Sequence, residues 1–186
     1  MTATEQWTLK KTVVLVGMMG AGKTAVGKAL AARLGVPFLD SDAEIEQAAA
    51  MSIAEIFARD GEVFFRARET QVIDRLLDGQ SGILSTGGGA FLSEKNRNLI
   101  SDKGISVWLK ADLSLLWNRV KHKNTRPLLH TSDPYETLRA LYEARVPIYS
   151  MADLSVEARS DYSIETMASK VRDALAQRPD VLEAKP

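Results

Sequence analysis

The chain contains no cysteine. Disulfides, thiolate nucleophiles and cysteine–zinc centres are therefore excluded. Histidine is nearly as scarce, with only His122 and His130 present, so a histidine-rich metal site is excluded too. Net charge is also missing: 24 Lys and Arg stand against 24 Asp and Glu. A neutral chain argues against a broad nucleic-acid-binding face and leaves room only for local arginine clusters in a cleft. No apolar run approaches the roughly 20 residues that span a bilayer. The first residues lack a secretory apolar region. No membrane partner, no nucleic-acid partner and a cytoplasmic address are the expectations. What remains is an ordinary composition, 45% hydrophobic and 26% charged over 186 residues, which suits a single domain. Such a chain buries about two-thirds of its unfolded surface.

The feature that organises the chain lies near its start. Thr12-Val13-Val14-Leu15-Val16 is a short β-branched and apolar run that reads as a core strand. It leads into Gly17-Met18-Met19-Gly20-Ala21-Gly22-Lys23-Thr24, which has the phosphate-loop spelling, and an apolar helical pattern begins at Ala25. A polyphosphate needs many donors at short range. Glycine lets the backbone wrap closely, so the loop N–H groups turn inward beside the positive end of a helix. Gly17, Gly20, Ala21, Gly22, Lys23, Thr24 and Ala25 are thus the expected nucleotide-binding residues. Lys23 would place its charge on the outer phosphates, and the Thr24 hydroxyl would ligate Mg²⁺.

Further along, strand and helix signals alternate. Met1 to Lys10 reads as polar and loosely held. The first helix stops at Gly35, and Val36 to Leu39 is a second strand ending in Asp40-Ser41-Asp42. Asp42 is read as a cap for a helix from Ala43 to Ala50. Ser52-Ile53-Ala54-Glu55 has capping-box spelling and starts a helix that stops near Asp60-Gly61, and Glu62 to Leu77 continues helically. Ile83-Leu84-Ser85 is a third strand, followed by Thr86-Gly87-Gly88-Gly89. Strands at 105–109 and 154–156 complete the set, separated by helices starting near Ser93, Asp112 and Asp133, with a last one capped by Ser163. In the helix from Asp133 towards Tyr149, Pro147 is expected to kink or end the rod. Five strands alternating with helices predict an α/β fold with a parallel sheet covered on both faces. Ligands in such folds sit beyond the carboxyl ends of the strands, where these glycines and carboxylates would converge.

Taken together the chain resembles the shikimate kinases over about Val13 to Val171. The resemblance rests on the phosphate loop, Leu39-Asp40-Ser41-Asp42, Gly61-Glu62-x-x-Phe65-Arg66-x-x-Glu69, Thr86-Gly87-Gly88-Gly89, Arg126-Pro127-Leu128-Leu129 and Arg145-x-Pro147-x-Tyr149, all in order. It implies a P-loop kinase fold of the nucleoside-monophosphate-kinase type: a five-stranded parallel sheet flanked by helices, with a substrate-binding helical insertion and a lid. The implied division is one kinase domain over 1–186, with the insertion at about 41–78, the lid at about 121–133 and a polar tail at about 177–186. The implied activity is an ATP-dependent transfer of the γ-phosphoryl group to the 3-hydroxyl of shikimate, a step of aromatic amino acid biosynthesis, by a monomer.

The resemblance also implies roles. Lys23, Asp42 and Arg126 would be catalytic, with Asp42 binding the attacking hydroxyl and Arg126 arriving with the lid. Asp42, Arg66, Gly87, Gly88, Gly89 and Arg145 would hold shikimate, the two guanidiniums gripping its carboxylate. Arg119, Arg126 and Arg159 would complete the ATP site. Thr24 and Asp40 would serve the Mg²⁺, Asp40 through water. No acid ends the third strand at Ser85-Thr86, unlike many phosphate-loop ATPases. Two other readings stay open: a kinase of another small polyol acid such as gluconate, and a nucleotide-dependent switch with no phosphoryl acceptor. The paired arginines beside a glycine run favour shikimate over the first. The acceptor pocket and the missing strand-end acid count against the second.

Overall fold

The computed structural model describes residues 6–122 and 129–186. The elements in order are β1 (Trp7–Leu9), β2 (Thr12–Val16), α1 (Lys23–Leu34), β3 (Phe38–Asp40), α2 (Ser41–Ala49), α3 (Ile53–Leu77), β4 (Ile83–Ser85), a 3₁₀ turn (Ala90–Leu92), α4 (Glu94–Lys103), β5 (Gly104–Lys110), α5 (Leu113–Val120), α6 (Pro134–Tyr149), β6 (Leu154–Glu157), α7 (Ile164–Ala176) and β7 (Leu182–Ala184). Five of the strands make one sheet in the order β3-β4-β2-β5-β6, every pair parallel. The central strand β2 is buried along its whole length, as its unbroken apolar run requires. Leu15 and Asp40 are both level with Ser85, so β2, β3 and β4 release their following loops at one edge of the sheet.

Local chemistry sets the helix boundaries. Gly35 ends α1 with a left-handed φ of 65° and gives its N–H to Ala31 and Ala32. Ser52, Ser93, Asp112, Asp133 and Ser163 each accept a backbone N–H as N-caps of α3, α4, α5, α6 and α7. Gly61, at φ 84° and ψ 174°, breaks the helical backbone inside α3 and splits it into two arms. Pro147 lies inside α6, which runs on two residues to Tyr149 rather than ending there.

Two expectations are corrected. The cap of α2 is Asp40, whose Oδ1 accepts from the N–H groups of Asp42 (2.9 Å) and Ala43 (3.2 Å). Asp42 instead stands in the first turn, with its side chain released from capping. The ends of the chain are also tied down: β1 and β7 pair antiparallel, Trp7 opposite Ala184 and Leu9 opposite Leu182. The first ten residues are therefore not all loose, and the polar C-terminal stretch contains a strand.

Candidate active site

A cleft of about 570 Å³ opens beyond the carboxyl ends of β2, β3 and β4. Its lining includes residues 19–26 of the phosphate loop and α1, Asp40, Asp42, Ser85 to Gly88, and Arg119. The loop is built as its glycines demand. Gly17, Gly20 and Gly22 have φ of 147°, 83° and 95°. A Cβ on Gly20 would lie 2.7 Å from Val120 Cγ1, so the loop also packs flush against α5. Lys23 Nζ donates to the loop carbonyls of Gly17 (2.7 Å) and Met18 (3.0 Å), which keeps its charge inside the ring of the loop. Thr24 is exposed at the start of α1 and lines the same cleft. Ala25 lines it too. Thr86 secures the base by donating its hydroxyl to Leu15 O at 2.9 Å.

The carboxylates Asp40 and Asp42 differ in environment. Asp40 is committed to capping through Oδ1, as described. Burial, and then the neighbouring Asp40 charge, push the Asp42 carboxyl up to about 6, while Lys23 and Arg66 pull it down. Asp42 therefore interacts with both cations and titrates somewhat below neutral pH.

The triple glycine after β4 gathers the remaining groups, one per residue. A Cβ on Gly87 would lie 2.8 Å from Asp42 Oδ1 and 2.9 Å from Oδ2. On Gly88 it would lie 3.1 Å from Arg145 Nη1, and on Gly89 it would meet the Arg66 guanidinium, 2.9 Å from its central carbon. A side chain at Gly87 or Gly89 would displace a charged group, and one at Gly88 would crowd the Arg145 guanidinium. Arg66 is fixed by Glu69, whose Oε1 and Oε2 accept from its Nη1 at 2.9 and 3.2 Å. Glu69 is only 1% exposed; burial raises its pKa and the Arg66 charge opposes that rise. So Arg66 and Glu69 from α3, Arg145 from α6 and Asp42 from α2 converge on one short backbone stretch next to the phosphate loop. This constellation can hold a small anion with two guanidiniums while a carboxylate faces one of its hydroxyls.

The family model described as shikimate kinase matches residues 19–176. The chain belongs to the shikimate kinase family. It is accordingly an ATP-dependent kinase. A shikimate kinase of Ruegeria pomeroyi is 71% identical over 175 residues, covering 94% of this chain and 90% of that protein. One from Cereibacter sphaeroides is 67% identical over 175 residues, covering 94% of this chain and 87% of that protein. Among solved structures, a shikimate kinase from Acinetobacter baumannii in complex with shikimate superposes with a TM-score of 0.83 at 38% identity, covering 91% of this chain and 95% of that one.

Other expected site residues of this shikimate kinase family member fall in different places. Arg119 lines the cleft and donates from Nη1 to Gly20 O (3.0 Å) and Ala21 O (3.3 Å), so it braces the phosphate loop. Its burial lowers its pKa. Arg159 stands outside the lining of this cleft, exposed and paired with Asp161 at 3.5 Å, its guanidinium 5.7 Å from the Tyr162 ring. Arg126 lies outside the described residues. Four further lining residues were not anticipated: Tyr162, Ser163, Ile164 and Met167. Ser163 is legible in the sequence only as the cap of α7, where it accepts from Thr166 N–H.

Proposed function

We propose that this chain transfers the γ-phosphoryl group of ATP to the 3-hydroxyl of shikimate, giving shikimate 3-phosphate and ADP, as a cytoplasmic monomer of one kinase domain. The observation that carries this reading is the placement of Asp42, Arg145 and Arg66 on Gly87, Gly88 and Gly89 in turn. Arg66 and Arg145 hold the acceptor's carboxylate, and the bare glycine backbone lets its ring lie flat against the loop. The 3-hydroxyl then faces Asp42, which orients it in line with the phosphate cradled by residues 17–25. Phosphoryl transfer has a loose transition state, so position counts for more than base strength. Lys23 turns from the Gly17 and Met18 carbonyls to the outer phosphates. Arg126 is assigned to the lid, supplying positive charge to the transferring group as the site closes.

The residues present fit Mg²⁺. Thr24 and Asp40 are hard oxygen donors that both line the cleft, and no group of three or more His, Asp or Glu placed to hold a metal ion occurs among the described residues. A site with few protein oxygens that leaves most positions to phosphates and water is the usual Mg²⁺ arrangement. When bound, the ion neutralises charge on the phosphate oxygens.

ADP release coupled to a spectrophotometric readout tests this. Shikimate is expected to raise it by well over about tenfold, only when Mg²⁺ is present, with gluconate ineffective. Equal stimulation by gluconate would favour a polyol-acid kinase of broader scope. Slow release that no acceptor stimulates would favour a nucleotide switch.

A further inference from the structure

Three glycines in succession have little backbone preference of their own, so their orientation must come from bonds made elsewhere. Two of their carbonyls are satisfied locally: Gly87 O accepts from Ala90 N (3.1 Å) and Gly89 O from Leu92 N (3.2 Å). The middle one is satisfied from across the site. Tyr149, the last residue of α6, donates its hydroxyl to Gly88 O at 2.6 Å.

Tyr149 is completely buried, and its ring packs against Trp108 with centroids 6.2 Å apart. Packing alone accounts for the ring, since phenylalanine would fill the same volume; it does not account for the hydroxyl. The Arg145 guanidinium is the other polar group at this point: its Nη1 and the Tyr149 hydroxyl lie 3.1 and 3.9 Å from the position a Gly88 Cβ would take. Arg145 precedes Tyr149 by one helical turn, so both project from one face of α6.

We infer that Tyr149 is a positioning residue for the phosphoryl acceptor, locking the Gly88–Gly89 peptide and Arg145 into one rigid unit. A trans peptide points its N–H opposite to its carbonyl. Pinning Gly88 O to Tyr149 therefore fixes which way the Gly89 N–H faces. The same bond ties the glycine run to α6, the helix that follows the lid segment. The hydroxyl bonds to the glycine run that faces the acceptor, so its loss is expected to fall on the acceptor and not on the nucleotide. This inference rests on the acceptor assignment made above.

Tyr149→Phe keeps the ring and removes the hydroxyl, leaving the Gly88 carbonyl without its donor. A loss of about 1.4 kcal/mol is ordinary for such a bond and corresponds to tenfold in affinity. The KM for shikimate is expected to rise about tenfold, with the KM for ATP changed by less than about twofold. Calorimetric titration of shikimate and of ATP into each protein reads the same split without turnover. A variant with unchanged shikimate affinity, or with equal losses for both substrates, overturns the inference while leaving the acceptor assignment intact in the wild-type chain. A wild-type chain that ignores shikimate overturns both.

Discussion

Asp42→Asn is expected to make the ligand-free protein more stable while it removes most of its activity. The folded structure raises this carboxyl from an ordinary 3.8 to about 6, first by burial and then through Asp40. A group whose folded pKa lies above its unfolded value binds more protons when folded, so its ionisation opposes folding. The cost is absent below about pH 4, grows between about pH 4 and 6, and is fully present above that. The shift corresponds to about 3 kcal/mol at neutral pH, an upper bound because one edge of Asp42 is open to the cleft. Asparagine has nearly the same shape and no charge, so it escapes this cost. At roughly 2–4 °C per kcal/mol for a chain of this size, Tm should rise on the order of 5 °C at pH 7.5. The difference should vanish near pH 4, the window being set by the two pKa values. Thermal unfolding followed by circular dichroism at three pH values measures it. ADP release at saturating shikimate should fall by about 10²-fold or more, with ATP still bound. A Tm that is unchanged or lower at pH 7.5, or a difference independent of pH, refutes the linkage. Near-normal turnover removes Asp42 from the mechanism.

Two other outcomes follow from the same geometry. Arg66→Ala and Arg145→Ala should each weaken shikimate binding by about 10-fold to 10²-fold, the worth of a charge-assisted hydrogen bond, and leave ATP binding within about threefold; titration calorimetry separates the two ligands. In the wild-type enzyme kcat/KM for shikimate should fall as pH drops through about 6, because the carboxylate form of Asp42 is lost in that direction; a rate flat down to about pH 5 would contradict it.

The phosphate loop was legible because its chemistry leaves little freedom: strand, glycine turn, Lys-Thr and helix occur in one contiguous stretch. The central strand β2 was legible for a related reason, since a buried parallel strand is written as an unbroken apolar run, whereas β6 (Leu154-Ser155-Val156-Glu157) is partly exposed and carried a weaker signal. Asp40-Ser41-Asp42 was harder. Two carboxylates one residue apart are equally good caps, and only the backbone decides that Asp40 takes the N–H groups while Asp42 turns to Gly87. The pairing of Trp7–Leu9 with Leu182–Ala184 was invisible, because three-residue strands at opposite ends of the chain carry almost no local signal. The meeting of Arg66 and Arg145 on neighbouring glycines is likewise a long-range fact; no spacing rule reaches from α3 to α6, and the expectation came from family resemblance. The lining residues from Tyr162 to Met167 went unread because a serine that caps a helix looks the same whether or not the helix borders a site.

The most direct test is a structure of the chain with shikimate, Mg²⁺ and a non-hydrolysable ATP analogue. The shikimate carboxylate is expected within hydrogen-bond reach of both Arg66 and Arg145, with the ring against Gly87 to Gly89 and the 3-hydroxyl on Asp42, in line with the γ-phosphate. Shikimate bound elsewhere, or turned so that its carboxylate faces away from the two arginines, would contradict the account.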